Sequence, residues 1–117
     1  MSYVDGFILP LPRANIEACR ALATVAAQVW REHGALSYRE CIAEDVKPGT
    51  LTSFPQSVKL KPAETVVFAW IEFASRAARD EVNAKVMADP RLACTDVNMP
   101  FDAKRMVYGG FETLVQF

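Results

Sequence analysis

A basic excess is what this sequence most plainly lacks: among 117 residues, 13 Lys+Arg nearly cancel 14 Asp+Glu, leaving a net charge of −1. Nothing in that balance drives tight, sequence-independent nucleic-acid binding, and nucleic acid is not expected as a partner. Histidine is scarcer still. With His33 alone, multi-His catalytic zinc sites and the HExxH motif are excluded. Glycine is limited to Gly6, Gly34, Gly49, Gly109 and Gly110, too few and too scattered for a dinucleotide fingerprint or a phosphate loop. Cys19, Cys41 and Cys94 are odd in number and far apart, neither a CxxC pair nor an even secreted framework. Each sits among apolar neighbours and is expected to be a free thiol buried as a small hydrophobe.

Long apolar runs are missing too, and none approaches the roughly 18 residues needed to span a bilayer. The start of the chain has no cationic region, and its apolar run from Phe7 to Leu11 is broken by Pro10 and Pro12, so no signal peptide is expected. Together these absences point to a cytoplasmic, reduced chain with no membrane association, no metal and no cofactor.

What is present is an ordinary globular composition, 51% hydrophobic and 23% charged, sized for one domain over residues 1–117. Tyr3 to Leu9 is β-branched and aromatic and stops at Pro10, which predicts a first strand. Asn15 offers a cap to a helix whose apolar stripe runs Ile16, Cys19, Leu22, Ala23, Ala26, Val29 and Trp30. Gly34 is its expected stop. Leu36 to Asp45 alternates as a second strand. Thr50 to Pro62 holds a loop or a short edge strand around Ser57 to Leu60, and Glu64 to Phe73 reads as a strand buried on both faces.

Ser75 caps a second helix bearing Ala78, Val82 and Val86, with Arg76–Asp80 and Glu81–Lys85 at ion-pair spacing. Asp89-Pro90 stops that helix, with a short turn possible through Leu92, and Asp96 to Lys104 reads as a loop. Met106 to Phe117 makes the last strand, with Gly109-Gly110 marking a bulge or a close backbone approach. The order β-α-β-β-α-β predicts an α+β, ferredoxin-like fold: an antiparallel sheet with two helices on one face.

Sorting the strands by parity gives an aliphatic set that includes Val4, Ile8, Cys41, Val67, Ala69, Ile71, Phe73, Val107 and Phe111. It suits packing under the helices. The other set is aromatic and acidic by turns: Tyr3, Asp5, Phe7, Tyr38, Glu40, Ile42, Phe68, Trp70, Glu72, Tyr108 and Glu112. Leaving that set in water would expose an unusually large apolar patch, and a second copy packed sheet to sheet about a two-fold axis is the expected cover.

The segments YVDGF, VWREHGALSYRECIAEDVKPG, SFPQSVKL, ETVVFAWIEF, RDEVNAKVMADPRL and MPFDAKRMVYGGFE together resemble a small bacterial family of unknown function. The match runs along nearly the whole chain. That family is similar to the dimeric α+β barrel proteins, which include cofactor-free monooxygenases, haem-degrading enzymes and ligand-binding members. The resemblance implies a homodimer and a barrel interior able to take a small molecule. Some members carry names referring to signal-recognition-particle RNA, a label that the charge balance here does not support. Cys19 stands where members commonly carry an aromatic residue, and Ala14 where an acidic one is common near the cap. The family has no established catalytic residues to carry over.

From the residues themselves, Tyr38, Trp70 and Tyr108 are the expected ligand-binding aromatics. Glu40 and Glu72 are the candidate catalytic carboxylates, because burial in an apolar cavity raises a carboxyl pKa toward acid–base use. Their bland alternative is pairing with Arg39, Arg105 or an arginine of a second copy. His33 suits the helix dipole better than a metal or haem, and Trp30 and Trp70 equally fit a core or an interface. Met99 to Asp102 either covers the cavity as a lid or anchors a long connection. Two functions stand side by side. One is a binder of a small apolar or aromatic molecule, or a cofactor-independent, monooxygenase-like enzyme acting on it. The other is a non-catalytic dimeric interaction module. Its RNA-associated variant needs Arg13, Arg20, Lys59, Lys61, Lys104 and Arg105 on one surface.

Overall fold

Four strands form one antiparallel sheet in the order β2-β3-β1-β4. The computed structural model describes residues 2–92 and 99–117; Cys94 and the start of the 96–104 loop lie outside them. Along the chain come β1 (Tyr3–Pro12), α1 (Ile16–His33), β2 (Ser37–Ile42), the single turn α2 (Phe54–Ser57), β3 (Glu64–Phe73), α3 (Arg76–Met87) and β4 (Val107–Glu112).

β1 runs three residues beyond the expected end at Leu9. Its pairing with β4 stops at Ile8↔Val107, while its pairing with β3 continues to Pro12↔Glu64. Pro10 and Pro12 therefore sit where one side of the strand is free and no N–H is needed. β2 and β4 are shorter than their patterns suggested, ending at Ile42 and Glu112. The Ser57–Leu60 region forms no strand. Ser53 instead caps α2, its hydroxyl accepting from the Gln56 N–H at 3.1 Å with a proline inside the first turn. The Gly109-Gly110 pair makes no bulge, since the register with β1 is continuous. It is a close approach: a Cβ on Gly110 would collide with the Tyr3 ring.

α1 ends at Gly34, whose φ of 119° lets its N–H reach back to the Trp30 and Arg31 carbonyls. Its start is not capped by Asn15, which donates from Nδ2 to the Pro100 carbonyl at 2.9 Å and so fastens a distant loop. α3 begins as expected, with the Ser75 hydroxyl accepting from the Ala78 N–H at 3.1 Å. The pairs Arg76–Asp80 and Glu81–Lys85 stand at 3.9 and 3.2 Å on its exposed side.

The register corrects the sorting of faces. Tyr38 is opposite Ile71 and Glu40 opposite Ala69, while Phe7 is opposite both Ala69 and Tyr108. The helix-covered face thus combines Asp5, Phe7, Leu9, Tyr38 and Glu40 with Val67, Ala69, Ile71 and Phe73. Val4, Ile8, Cys41, Val107 and Phe111 join Phe68, Trp70 and Glu72 on the other. Each strand's alternation was read in phase with itself, but β3 was set one residue out against its neighbours, and a one-residue offset exchanges faces. β3 is consequently buried on one face only over its second half, and Phe68 is 42% exposed. Cys41, expected inside, is exposed on this open face, whereas Cys19 is buried; both are free thiols.

Beneath the helices the core falls into two clusters. One joins Val29, Val82 and Val86 of the helices to Ile71 and Phe73. The other gathers Leu9, Leu11, Cys19 and Val67, with Ile16, Phe101 and Met106 packed against it. The space between the two is where the sequence places alanines: Ala23 and Ala26 on α1, and Ala69 on β3.

Two arginine-centred knots hold the ends of this layer. Arg105 forks onto Glu64 at 2.9 and 2.6 Å and also takes Asp102 at 2.9 Å. Arg91 bridges Glu32 of α1 and Asp89, and Asp89 also meets His33 Nε2 at 2.9 Å. The Arg105 fork holds the Glu64 carboxyl below its ordinary range, and the Arg91 fork, helped by His33, holds Asp89 well below it. Asp102 is lowered likewise by Arg105. A carboxylate depressed in the folded state stabilises it above the unfolded pKa of about 4, and that contribution is lost as pH falls through the folded value. Urea resistance is therefore expected to stay level from neutral pH to about 5 and to decline below about 4. Asp89→Asn should flatten that decline; an unchanged acid limb would count against this assignment.

Candidate functional site

A cavity of about 250 Å³ lies between α1 and the sheet, bounded by the two core clusters. The small side chains of Ala23, Ala26 and Ala69 leave the room, and Phe7, Trp30 and Ile71 form much of the wall. Met87, Met99 and Met106 contribute at its rim, a residue type that adapts its shape to what it touches. Met99 and Phe101 reach it from the loop before β4. That loop is fastened by the Asn15–Pro100 bond and by Asp102 on Arg105, so it covers the cavity as a fixed wall.

One polar pair stands in this apolar wall. Tyr38 and Glu40 occupy alternate positions of β2 and project to the same face, and the Tyr38 hydroxyl donates to Glu40 Oε2. Burial, and then the hydrogen bond to Glu40, push the Tyr38 phenol far above its ordinary range. Burial likewise raises the Cys19 thiol, with the Glu40 charge adding to it. Both groups are protonated at neutral pH, which makes Cys19 a poor nucleophile. A second, more open groove of about 370 Å³ between α1 and β2 shares Cys19, Tyr38 and Glu40 with the inner cavity. The pair is thus the boundary between an apolar chamber and a groove facing solvent.

The Tyr38 ring is set by a chain of contacts that the sequence reading missed. Trp30 packs on it at 5.8 Å between centroids and donates its indole N–H to Asn83 Oδ1 at 3.0 Å. Asn83 donates to Asp5 Oδ2 at 3.2 Å, and Arg79 Nη1 donates to Asp5 Oδ1 at 3.0 Å. Asp5 is 5% exposed, so this ion pair is held between β1 and α3 out of water. An acidic residue in the middle of an apolar strand was the available signal.

The structure does not bring the other expected site residues to this cavity. Trp70 lies on the opposite face, under the Arg39 guanidinium at 5.6 Å and beside Phe68. Glu72 shares that face, so it does not meet Glu40. Tyr108 is 70% exposed and stacks on the outer side of Phe7, one ring removed from the chamber. Arg105 is committed to Glu64 and Arg20 pairs with Glu17 at 3.2 Å, so both contribute to internal pairs. Among the described residues no three of His, Cys, Asp and Glu form a group able to hold a metal ion. No helix of the described residues is long and apolar enough to cross a membrane.

Residues 2–103 match the family model described as a protein of unknown function, DUF1428. The chain belongs to that family. It is 47% identical over 115 residues to the uncharacterized protein YbaA of Escherichia coli K12, covering 98% of each chain, and equally so to YbaA of Shigella flexneri. Among solved structures it is similar to Rv0793 from Mycobacterium tuberculosis, with a TM-score of 0.54 at 18% identity over 99% of this chain and 98% of that one. The de novo designed protein Foldit4 aligns at a TM-score of 0.50 and 10% identity over 97% of this chain and 99% of the other. At these identities the likeness concerns the α+β fold. For the DUF1428 member described here, the Tyr38–Glu40 pair and its chamber are therefore the chemical starting point.

Proposed function

We propose that the protein binds a small, largely apolar molecule in the chamber between α1 and the sheet, and that Tyr38 and Glu40 orient it. The observation that carries this is a preformed apolar cavity whose described wall carries the Tyr38–Glu40 pair, the arrangement by which apolar burial supplies affinity and a few polar groups supply orientation. Glu40 is the acid–base candidate for any cofactor-independent turnover there, and Glu72 has no part in it. A thermal-shift screen against a metabolite extract tests the reading, since a ligand stabilises only the state it binds. For a compound found this way, Tyr38→Phe and Glu40→Gln should each weaken binding by about tenfold, the value of one well-made hydrogen bond. Unweakened binding in both variants would remove the pair from the site.

The open face favours a second property, a homodimer of ferredoxin-like protomers. The strand order β2-β3-β1-β4, with both long helices on one side, supports the ferredoxin-like reading. Phe68, Val107 and Phe111 are each more than 40% exposed on the uncovered side, where Phe68 meets Trp70 and Phe54 of α2 at 5.6 and 6.0 Å between rings. A face of this kind is stabilised by a second copy about a two-fold axis. Sedimentation equilibrium should return twice the 13.0 kDa chain mass. Trp70→Glu should shift the protein to monomer by placing an unpaired charge in the contact. A wild-type monomer at high concentration would refute the dimer and leave the chamber untouched.

A further inference from the structure

We infer that the chamber selects a ligand whose polar group is a hydrogen-bond donor, a hydroxyl or a protonated amine on a small apolar body, and that it rejects anions. The inference rests on the chamber being a ligand site and adds what kind of ligand it takes.

Donors and acceptors along the chamber wall decide what it can take. Among the described residues, the side chains lining the chamber that carry strong polar atoms are Trp30, Tyr38 and Glu40, with the weaker thiol of Cys19 beside them. Trp30 has spent its only N–H on Asn83. Tyr38 has spent its only O–H on Glu40 Oε2. What remains is acceptor capacity: Glu40 Oε1, which takes no hydrogen bond from any described residue, and the free lone pair of the Tyr38 oxygen. A ligand that brings a donor completes this pair. One that brings only acceptors leaves Glu40 Oε1 without a partner on the chamber side, which is the less favourable arrangement.

Charge sharpens the choice. No Lys, Arg or His among the described residues lines the chamber, and its one formal charge is that of Glu40. The arginines of the adjoining groove are engaged elsewhere, Arg20 with Glu17 at 3.2 Å and Arg39 over the Trp70 ring at 5.6 Å. An anionic ligand would therefore place a second negative charge beside the first, whereas a protonated amine would neutralise it. Size sets the remaining limit. A space of about 250 Å³ lies below the roughly 300–1,000 Å³ of pockets that take drug-sized ligands, so the occupant is a small molecule.

Four probes of similar shape separate the possibilities: para-ethylphenol, para-methylbenzylamine, para-ethylanisole and para-ethylbenzoate, titrated calorimetrically into the protein. The phenol and the amine should bind about tenfold more tightly than the anisole, which has the ring without a donor, and the benzoate should be weakest of all. In Glu40→Gln the advantage of the amine over the anisole should disappear. Benzoate binding as tightly as the phenol, or all four binding alike, would overturn the donor rule while leaving the chamber a ligand site. Failure of all four at millimolar concentration would overturn the chamber itself as a site, and the donor rule with it.

Discussion

Ala26→Phe is expected to abolish binding in the chamber while the protein keeps its fold. Ala26 is buried in the middle of α1 and faces the space between the two core clusters, so a phenyl ring there fills the volume that a ligand would use. The substitution adds apolar contact where contact is missing, and this offsets the usual overpacking cost of about 1–3 kcal/mol. The melting temperature should stay near that of the wild type. Affinity for para-ethylphenol should fall on the order of a hundredfold, because the apolar contacts of a whole ring are lost and not one hydrogen bond. Ala23→Leu, entering from the next turn toward the groove, provides a smaller version of the same change. A folded Ala26→Phe protein that binds the phenol normally would place the site elsewhere.

The second large effect concerns stability. Arg79→Met should cost about 3–5 kcal/mol, a large part of the roughly 5–15 kcal/mol that holds a domain of this size together. Asp5 is 5% exposed, and its Oδ1 takes the Arg79 Nη1 bond at 3.0 Å. With the guanidinium gone, Asn83 alone is left to a carboxylate inside the protein. The cost is that of the orphaned charge, more than of the lost contact. Arg79→Met combined with Asp5→Asn should recover much of it, and urea unfolding of the single and double variants measures that coupling. Equal losses in the single and double variants would mean that Arg79 acts through its packing on Tyr3, 5.0 Å away, or its pair with Asp80 at 2.9 Å, instead of through Asp5.

What the sequence discloses and withholds follows from the range of the forces involved. The stripe from Ile16 to Trp30, the Gly34 stop, the Ser75 cap and the bounds of β3 are local, and the structure has them where the pattern puts them. The relative phase of β3 is not local. Both of its faces carry large apolar side chains, so alternation within the strand does not say which of Ile71 and Trp70 faces the helices. That ambiguity separated Trp70 and Glu72 from Tyr38 and Glu40. Asn15 had the chemistry of a cap and was used by Pro100 instead, a contact across 85 positions that no spacing rule reaches. The chamber was visible only as a run of small residues: Ala23, Ala26 and Ala69 fit an ordinary apolar stripe, and their smallness matters once α1 lies over β3. Cys19 on α1 and Asp5 on β1 likewise gain their meaning from what crosses them.

The most direct measurement of the central claim uses side chains already in place. Three of the four methionines, Met87, Met99 and Met106, border the chamber. In protein labelled at the methionine methyl carbons, titration with para-ethylphenol should move all three resonances along one saturable curve, and Ala26→Phe should erase the shifts. Resonances that stay fixed while the indole signal of Trp70 moves would put the ligand on the open face and contradict the account.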